Sequence, residues 1–459
     1  MNNVTLTPGI FRAYDIRGIV GETLSDDIAR QIGRAVAAET RAAGETRIAV
    51  ARDGRLSGPA ISAALIDGLR AGGCDVVDVG MVPTPVLYYA TYEIEGVRSG
   101  IMVTGSHNPP DYNGFKIVIA GQTLSGERIQ GLYQRLVNQD LSEGQGTLSH
   151  VDLREQYLER IASDVKLKRP LKVVVDTGNG VAGELAPELM KRLGCEVVSL
   201  FTEIDGTFPN HHPDPGEPEN MVDLIRTVKE TGADLGLGFD GDGDRVGVIT
   251  PAGDLIYPDR LMMAFAEDVL SRVPGGRIIY DVKCTGSLAT VVSELGGEPE
   301  MWRTGHSIIK ARMKETGAPL AGEMSGHIFF SERWYGFDDG LYAAARMLEI
   351  LAGQGSDADA FFQRYPQNPS TPEITIKVSE DNKFAIVEQL IAEGDFGEGE
   401  RNTIDGIRVD YADGWGLCRV SNTSPKLVTR YEGHTEAALK RIQGVFEANI
   451  RAAMDAVGG

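Results

Sequence analysis

LKVVVDTGNGVAGELAPELMKRLGCEVVSLF, residues 171–201, is the stretch that indicates the fold most clearly. An apolar run ends at Asp176, a glycine-rich loop follows, and a stretch with helical periodicity leads to a second apolar run. Continuous apolar strands that alternate with amphipathic helices are typical of βαβ units in largely parallel sheets. The segment therefore predicts an α/β domain.

Two other segments, 45–80 and 275–302, show the same order of strand, loop, helix and strand. Their first apolar runs end at Asp53 and Asp281, as the run in 171–201 ends at an aspartate. Three copies at wide separation indicate three similar α/β domains rather than a solenoid of short repeats.

The pattern changes after YPQNPSTPE, residues 365–373, where three prolines favour a stiff, extended linker. A chain of 459 residues is also too long for a single core. We therefore predict an α/β protein with three similar mixed α/β domains, whose sheets are flanked by helices, and a fourth, different α+β domain. The predicted domains are 1–150, 151–254, 255–366 and 367–459.

The composition is that of a globular protein with an acidic excess, and the formal net charge is −21. Such a charge argues against a general affinity for nucleic acid or anionic membranes, so any phosphate site must be built locally from arginine, lysine and backbone N–H groups. No apolar run reaches the ~18–20 residues that cross a bilayer, and the first residues lack a secretory pattern. The 4 cysteines form no CxxC pair. We expect a cytoplasmic protein.

The glycines of 173–183 also match the G-x-G-x-x-G pattern of dinucleotide-binding domains, with Glu203 about 20 residues further on. The other two copies of the repeat lack this glycine spacing. We therefore interpret the match as one copy of the repeat and not as a nicotinamide site.

TGSHNPPDYNGFK, residues 104–116, has the composition of a loop between two strands. A lone serine in such a loop is usually a turn residue, and no GxSxG elbow surrounds Ser106. Its neighbours His107, Asn108 and Lys116 offer polar hydrogens. They suit a phosphate held on the serine oxygen better than removal of the serine proton.

GFDGDGDRVGV, residues 238–248, places Asp240, Asp242 and Asp244 in one tight loop. Three carboxylates so close repel one another unless a cation compensates, and oxygen ligands favour Mg²⁺. An EF-hand is excluded, because Arg245 occupies its glycine position and Pro251 its final glutamate position. We favour a metal site over an acidic surface turn.

Two further loops are candidates for binding a sugar phosphate. GEMSGH, residues 322–327, offers Glu323, Ser325 and His327 to sugar hydroxyls, although an ordinary turn explains it equally well. RVSNTSPKLVTR, residues 419–430, joins a guanidinium to several short donors and suits a phosphate, although a polar hairpin turn is the alternative. Its candidate residues are Arg419, Ser421, Asn422 and Thr423.

FRAYDIRG, residues 11–18, precedes these four motifs. With the five motifs in this order, the sequence resembles the α-D-phosphohexomutase superfamily, and within it the bacterial phosphomannomutase/phosphoglucomutase branch. The resemblance covers nearly the whole chain. It implies four domains around a central cleft and reversible exchange between hexose 1-phosphate and hexose 6-phosphate. It also implies Mg²⁺ as cofactor and glucose or mannose 1,6-bisphosphate as intermediate and activator.

The resemblance further implies a role for each motif. Ser106 would carry the phosphoryl group, and Mg²⁺ would be bound by Ser106 and the three aspartates of residues 240–244. Lys116 with Arg17 would transfer protons, with His107 and His306 as alternatives. The remaining residues would bind substrate: Tyr14, Arg245, Lys283, His306, Glu323, Ser325, His327, Arg419, Ser421, Asn422 and Thr423.

Three alternatives stay open at this point. Phosphoglucosamine mutases are similar overall, but Met324 in GEMSGH favours mannose and glucose phosphates. A metal-dependent sugar phosphatase would use the same serine and metal, and a sugar-phosphate-binding protein would use the same cleft without turnover. The expected partners are small sugar phosphates, and the expected oligomeric state is a monomer or weak dimer.

Overall fold

The described part of the chain, residues 5–421 and 425–458 of a computed structural model, forms four sheets, each from consecutive strands. The first three sheets mix parallel and antiparallel pairs, whereas the pairs of the fourth are antiparallel. The predicted fold class is confirmed. The predicted domain boundaries stay predictions.

The first domain has a mixed sheet between two groups of helices. Its elements are β1 (Ile16–Ile19), α1 (Asp26–Ala42), β2 (Arg47–Arg52), α2 (Gly58–Ala71), β3 (Asp75–Met81), α3 (Thr84–Glu93), β4 (Gly100–Val103), β5 (Tyr112–Ile119), β6 (Gln122–Thr123), α4 (Glu127–Val137) and β7 (Leu148–His150). The strand order is β1-β5-β4-β2-β3-β7, and β6 pairs with β5. Ser25 caps α1 by accepting a hydrogen bond from the N–H of Ile28 at 3.3 Å.

The second domain repeats the centre of this sheet. Its elements are α5 (Arg154–Asp164), β8 (Lys172–Asp176), α6 (Leu185–Arg192), β9 (Glu196–Leu200), α7 (Val222–Thr231), β10 (Leu235–Phe239), β11 (Val246–Ile249) and β12 (Leu255–Ile256). The strand order is β12-β11-β10-β8-β9, so the sheet extends past the boundary predicted at residue 254.

The third domain repeats it again. Its elements are α8 (Pro258–Leu270), β13 (Arg277–Asp281), α9 (Ser287–Glu294), β14 (Glu298–Trp302), α10 (His306–Thr316), β15 (Leu320–Gly322), β16 (Ile328–Phe330), α11 (Gly340–Ala352) and α12 (Ala358–Phe362). The strand order is β14-β13-β15-β16. The three predicted repeats are the parallel units β2-α2-β3, β8-α6-β9 and β13-α9-β14.

The fourth domain has a different topology. Its elements are β17 (Ile374–Lys377), α13 (Lys383–Glu393), β18 (Glu400–Asn402), β19 (Ile407–Tyr411), β20 (Gly414–Val420), β21 (Lys426–Gly433) and α14 (Glu436–Val457). The strand order is β17-β21-β20-β19-β18. One buried apolar cluster runs through the first three domains, whereas this domain has a core of its own.

Equivalent strand connections carry the candidate motifs. The chain turns between antiparallel neighbours at β4-β5, β10-β11, β15-β16 and β20-β21. These connections contain, in order, Ser106, the three aspartates of residues 240–244, Glu323 and Ser421. Repetition of the sheet order therefore places one motif of each of the first three domains at an equivalent position.

Candidate active site

The four connections meet at a cleft of about 740 Å³ with walls from all four domains. The sequence-predicted residues that line it are Tyr14, Arg17, Ser106, His107, Lys116, Arg245, Lys283, His306, Glu323, Ser325, His327, Arg419 and Ser421. Asn422 and Thr423 lie outside the described residues. The three aspartates of residues 240–244 are fully buried and contact the lining residues Ser106 and Lys116.

Ser106 lies at a sharp bend in the β4-β5 connection and has a left-handed backbone conformation, with φ of +50°. Its Oγ lies 3.4 Å from Oδ2 of Asp240 and 3.3 Å from Nδ1 of His107. Its backbone N–H donates to Oγ1 of Thr104 at 2.7 Å. The bend therefore holds the serine oxygen against the aspartate loop of the second domain.

Asp240, Asp242 and Asp244 come together in the β10-β11 connection, where one carboxylate oxygen of each lies within 4.8 Å of the others. Burial raises the pKa of Asp240, and the two neighbouring carboxylates raise it further. Oδ1 of Asp242 has no hydrogen-bond partner among the described residues, whereas Oδ1 of Asp244 lies 3.3 Å from Nε2 of His327. Three buried carboxylates with no thiolate or imidazole in the triad fit a hard cation such as Mg²⁺.

Lys116 lies between two of these carboxylates. Its Nζ donates to Oδ2 of Asp242 at 2.7 Å and also to Oδ2 of Asp244. Burial lowers the pKa of the Lys116 ammonium, but the two carboxylates outweigh burial and raise it above its ordinary value. The side chain is therefore charged at neutral pH.

Three histidines of the cleft differ in charge. Burial lowers the pKa of His107 to about 3, and burial likewise lowers that of His306. Burial also acts to lower the pKa of His327, but Asp244, 3.3 Å from its Nε2, raises the pKa to about 9. Near pH 7 the imidazole of His327 is thus positively charged, whereas the other two are neutral.

The GEMSGH loop presents its polar groups to the same cleft. Glu323 is buried, and its carboxylate accepts a hydrogen bond from the backbone N–H of Gly305. Oγ of Ser325 lies 3.0 Å from Nδ1 of His327, which is 3.2 Å from Oε2 of Glu323. A short acidic and hydroxyl-bearing surface of this kind suits the hydroxyl groups of a sugar.

Cations from the third and fourth domains face this surface. Nζ of Lys283 donates to Oε1 of Glu373 at 2.6 Å, and Nε of Arg419 donates to Oδ2 of Asp405 at 3.0 Å. Nη2 of Arg419 has no hydrogen-bond partner within the described ranges. Clustered cations of this kind suit an anion, and the phosphate-binding role predicted for them stays a prediction.

The FRAYDIRG motif supplies part of the first-domain wall of the cleft. Nη1 of Arg17 donates to Oδ1 of Asn108 at 3.0 Å and so contacts the Ser106 loop. The hydroxyl of Tyr14 donates to the carbonyl oxygen of Thr304 at 2.6 Å. This motif therefore joins the serine loop to the third domain.

Comparison with known proteins now identifies the family. Models described as phosphoglucomutase/phosphomannomutase alpha/beta/alpha domains I, II and III match residues 8–143, 155–253 and 257–368, and the model of the C-terminal domain matches residues 373–448. The chain belongs to the phosphoglucomutase/phosphomannomutase family. The predicted superfamily is confirmed.

Relatives in this family are similar over almost their whole length. A phosphomannomutase/phosphoglucomutase of Pseudomonas aeruginosa is 59% identical over 448 residues, which are 98% of this chain and 96% of that protein. A phosphoglucomutase of Neisseria gonorrhoeae is 53% identical over 451 residues, 97% of each chain. The solved structure of a family protein from Burkholderia thailandensis has a TM-score of 0.93 at 57% identity and 98% coverage of each chain.

Some residues of the family cleft were missed by sequence reasoning. Arg12, Asp214, Glu373 and Arg430 also line it. Asp214 lies in the long connection between β9 and α7, where the density of proline, histidine and aspartate in PNHHPDP could have drawn attention. Glu373 lies at the end of the predicted linker and has no motif of its own.

The glycine-rich loop of 177–183 packs against the aspartate loop. The N–H of Val181 donates to the carbonyl oxygen of Gly241 at 3.1 Å, and a Cβ at Gly180 would lie 3.0 Å from the same oxygen. Its glycines therefore permit close packing of the two loops.

No helix of the described part combines the length and apolar character needed to span a bilayer. Cytoplasmic location and oligomeric state stay predictions.

Proposed function

We propose that this family member is a metal-dependent phosphomannomutase/phosphoglucomutase that interconverts the 1-phosphates and 6-phosphates of mannose and glucose. The observation that carries the proposal is the position of Ser106, whose Oγ lies 3.4 Å from Asp240 at a cleft with cationic side chains from several domains. The names and full-length identity of the relatives support it.

In this proposal Ser106 carries a phosphoryl group and transfers it to the free hydroxyl of a hexose monophosphate. The 1,6-bisphosphate so formed turns round in the cleft and returns its other phosphoryl group to Ser106. Asp240, Asp242, Asp244 and an oxygen of Ser106 would hold Mg²⁺, whose charge would offset that of the transferring group. Enzymes of the family use a metal and a bisphosphate intermediate, which supports this order of reaction steps.

The remaining lining residues have proposed roles that follow from their chemistry. Lys116, assisted by Arg17, transfers protons at the reacting oxygen, because its Nζ lies on the aspartate loop that Ser106 also contacts. Glu323 and Ser325 bind sugar hydroxyls. Lys283, Arg419 and Ser421 hold the phosphate that is not reacting, and Asn422 and Thr423 are predicted to assist them.

Replacement of Ser106 by alanine tests the proposal. We expect turnover of glucose 1-phosphate and mannose 1-phosphate, with a trace of the bisphosphate, to fall by more than about 10³-fold in a coupled assay. Intact mass should show phosphoenzyme in the unmodified chain and none in Ser106→Ala. Ser331→Ala is the control, because that hydroxyl donates to the carbonyl oxygen of Ala318 outside the cleft.

Four outcomes would contradict the proposal. Near-normal mutase turnover by Ser106→Ala would exclude the serine as carrier. Release of inorganic phosphate without isomerisation would indicate a phosphatase, and tight binding without turnover would indicate a binding protein. A clear preference for glucosamine 1-phosphate over the other two sugars would move the chain to the phosphoglucosamine branch.

A further inference from the structure

The guanidinium of Arg55 lies directly beneath the loop that holds Ser106. Its Nη2 donates to the carbonyl oxygens of Ser106 and Asn108 at 2.8 and 2.6 Å. Its Nη1 donates to the carbonyl oxygens of Pro109 and Tyr112, the latter at 3.0 Å. One side chain therefore binds three carbonyl oxygens of the loop and a fourth at the first residue of β5.

Asp53 completes the hydrogen bonding of Arg55. Its Oδ2 accepts from Nε of Arg55 at 3.2 Å, so that every N–H of the guanidinium has an acceptor. The same oxygen accepts from Oγ1 of Thr104 at 2.7 Å and from the N–H of Gly105 at 3.2 Å. Since Thr104 Oγ1 also accepts from the N–H of Ser106, the network holds both sides of the serine backbone.

The Arg55 side chain is tightly enclosed. It is 0% exposed, and the ring of Phe208 from the second domain lies 5.2 Å from its Cζ. A Cβ at Gly105 would lie 2.2 Å from the same Cζ. The loop above is in a conformation that residues with a Cβ rarely adopt, because Ser106 has φ of +50°. The contacts from Arg55 compensate for that strain.

We infer that Arg55 is a positioning residue for phosphoryl transfer, a role that rests on the proposed function of Ser106. Arg55 is absent from the described lining of the cleft and acts through the loop. The loop abuts the aspartate turn so closely that a Cβ at Gly241 would lie 2.4 Å from the carbonyl oxygen of Ser106. A lysine at position 55 presents its donors from one nitrogen and cannot bind four separated carbonyl oxygens.

Single-turnover kinetics of Arg55→Lys test this role. The rate of phosphoryl transfer to glucose 1-phosphate is measured by quenched flow and intact mass, and is divided by the phosphoenzyme present at the start. Because small displacements of a reacting group are costly, we expect this rate to fall on the order of 100-fold. The steady-state KM should change less than about twofold, since the substrate-binding residues are untouched.

Arg346→Lys is the matched control. Arg346 is likewise 0% exposed, and it is ion-paired with Asp268 and Glu332 away from the cleft. A general effect of removing a buried guanidinium lowers the thermal midpoint of both variants. Only a positioning role lowers the transfer rate of Arg55→Lys while that of Arg346→Lys stays normal. Equal transfer rates in the two variants, or a normal rate in Arg55→Lys, would overturn the inference.

A second variant covers the case in which Arg55→Lys does not fold. Thr104→Val keeps the shape of the side chain but removes the link between Asp53 and the N–H of Ser106. We expect about a 10-fold slower transfer at unchanged KM, and a normal rate would overturn the inference. Absence of phosphoenzyme and turnover in the unmodified chain would instead refute the proposed function itself.

Discussion

The turn after β2 and the turn after β13 share one hydrogen bond but differ in the side chain they position. Oδ1 of Asp53 accepts from the N–H of Arg55 at 3.0 Å, and Oδ1 of Asp281 accepts from the N–H of Lys283 at 3.2 Å. Arg55 stays beneath the Ser106 loop, whereas Lys283 lines the cleft. The aspartate maintains the turn, and the residue two positions later is adapted to its own domain.

The equivalent turn of the second domain has no side chain at this position. Oδ1 of Asp176 accepts from the N–H of Gly178 at 2.9 Å. A Cβ at Gly178 would lie 3.0 Å from both His211 and Pro213. Here the aspartate pairs with His211, whose Nε2 lies 3.1 Å from each carboxylate oxygen. Repetition of a fold therefore preserves backbone geometry while the charge around it changes.

The largest effect is expected when the aspartate of the first turn is removed. Asp53→Ala leaves the buried guanidinium of Arg55 without its counter-ion, and removal of one partner of a buried pair costs about 3–5 kcal/mol. We expect the free energy of opening of β2 and β4, measured by native-state hydrogen exchange, to fall by that amount.

Asp176→Ala is the comparison for this measurement. His211 can lose its proton when Asp176 is absent, so that no charge stays buried without a partner. We expect a loss of about 1–3 kcal/mol in β8. A loss in β8 as large as that in β2 would show that the turn itself, and not the charge of Arg55, accounts for the effect.

Much of the fold could be predicted because its signal is local. Apolar runs alternating with helical periodicity in 45–80, 171–201 and 275–302 correspond to the parallel units of the three sheets. The extension of the second sheet by β12 could not be read in the same way. A strand of two residues, Leu255–Ile256, has no periodicity, and only its pairing with β11 defines it.

The candidate site residues also differ in whether a local sequence pattern predicts them. Ser106 and the three aspartates of residues 240–244 could be predicted because reactive groups stand together in short, unusual loops. Arg55 could not, since RDGRLSG is an ordinary loop and its contact with Ser106 joins residues 51 positions apart. The charge of Lys116 likewise depends on Asp242, 126 positions away.

A smaller effect, on substrate binding, is expected at the turn of the third domain. Lys283→Met keeps the length of the side chain but removes a cation from the cleft. Because a hydrogen bond to a charged group contributes about 1.5–3 kcal/mol, kcat/KM for glucose 1-phosphate should fall roughly 10- to 100-fold, mainly through KM. Steady-state kinetics over a range of substrate concentrations separate the two constants.

Lys172→Met is the control for this measurement, since Lys172 begins β8 and pairs with Glu196 away from the cleft. Arg55→Lys and Lys283→Met should differ in which kinetic constant changes. The first-domain variant should lose transfer rate at constant KM, and the third-domain variant should lose affinity. A change in rate alone for Lys283→Met would remove the proposed distinction between the two turns.

The smallest effect concerns the pH dependence of the second turn. Nδ1 of His211 faces the carbonyl oxygen of His212 at 2.9 Å, and its Nε2 faces the carboxylate of Asp176. Both nitrogens must therefore donate, which requires the protonated imidazole. Burial acts to lower the pKa of His211, but Asp176 outweighs burial and raises it above its ordinary value.

A raised pKa stabilises the folded state most at pH values below that of the unfolded chain, about 6.5, and the stabilisation is lost as pH rises through the folded value. We therefore expect the thermal midpoint of the unmodified chain to exceed that of His211→Gln most near pH 6, by an amount equivalent to about 1 kcal/mol. The difference should shrink by pH 9.

His150→Gln is the control, because His150 is an exposed histidine beside another aspartate, Asp78. A difference for His211→Gln that stays constant or grows toward pH 9 would mean that the imidazole is neutral, and that the second turn holds no ion pair.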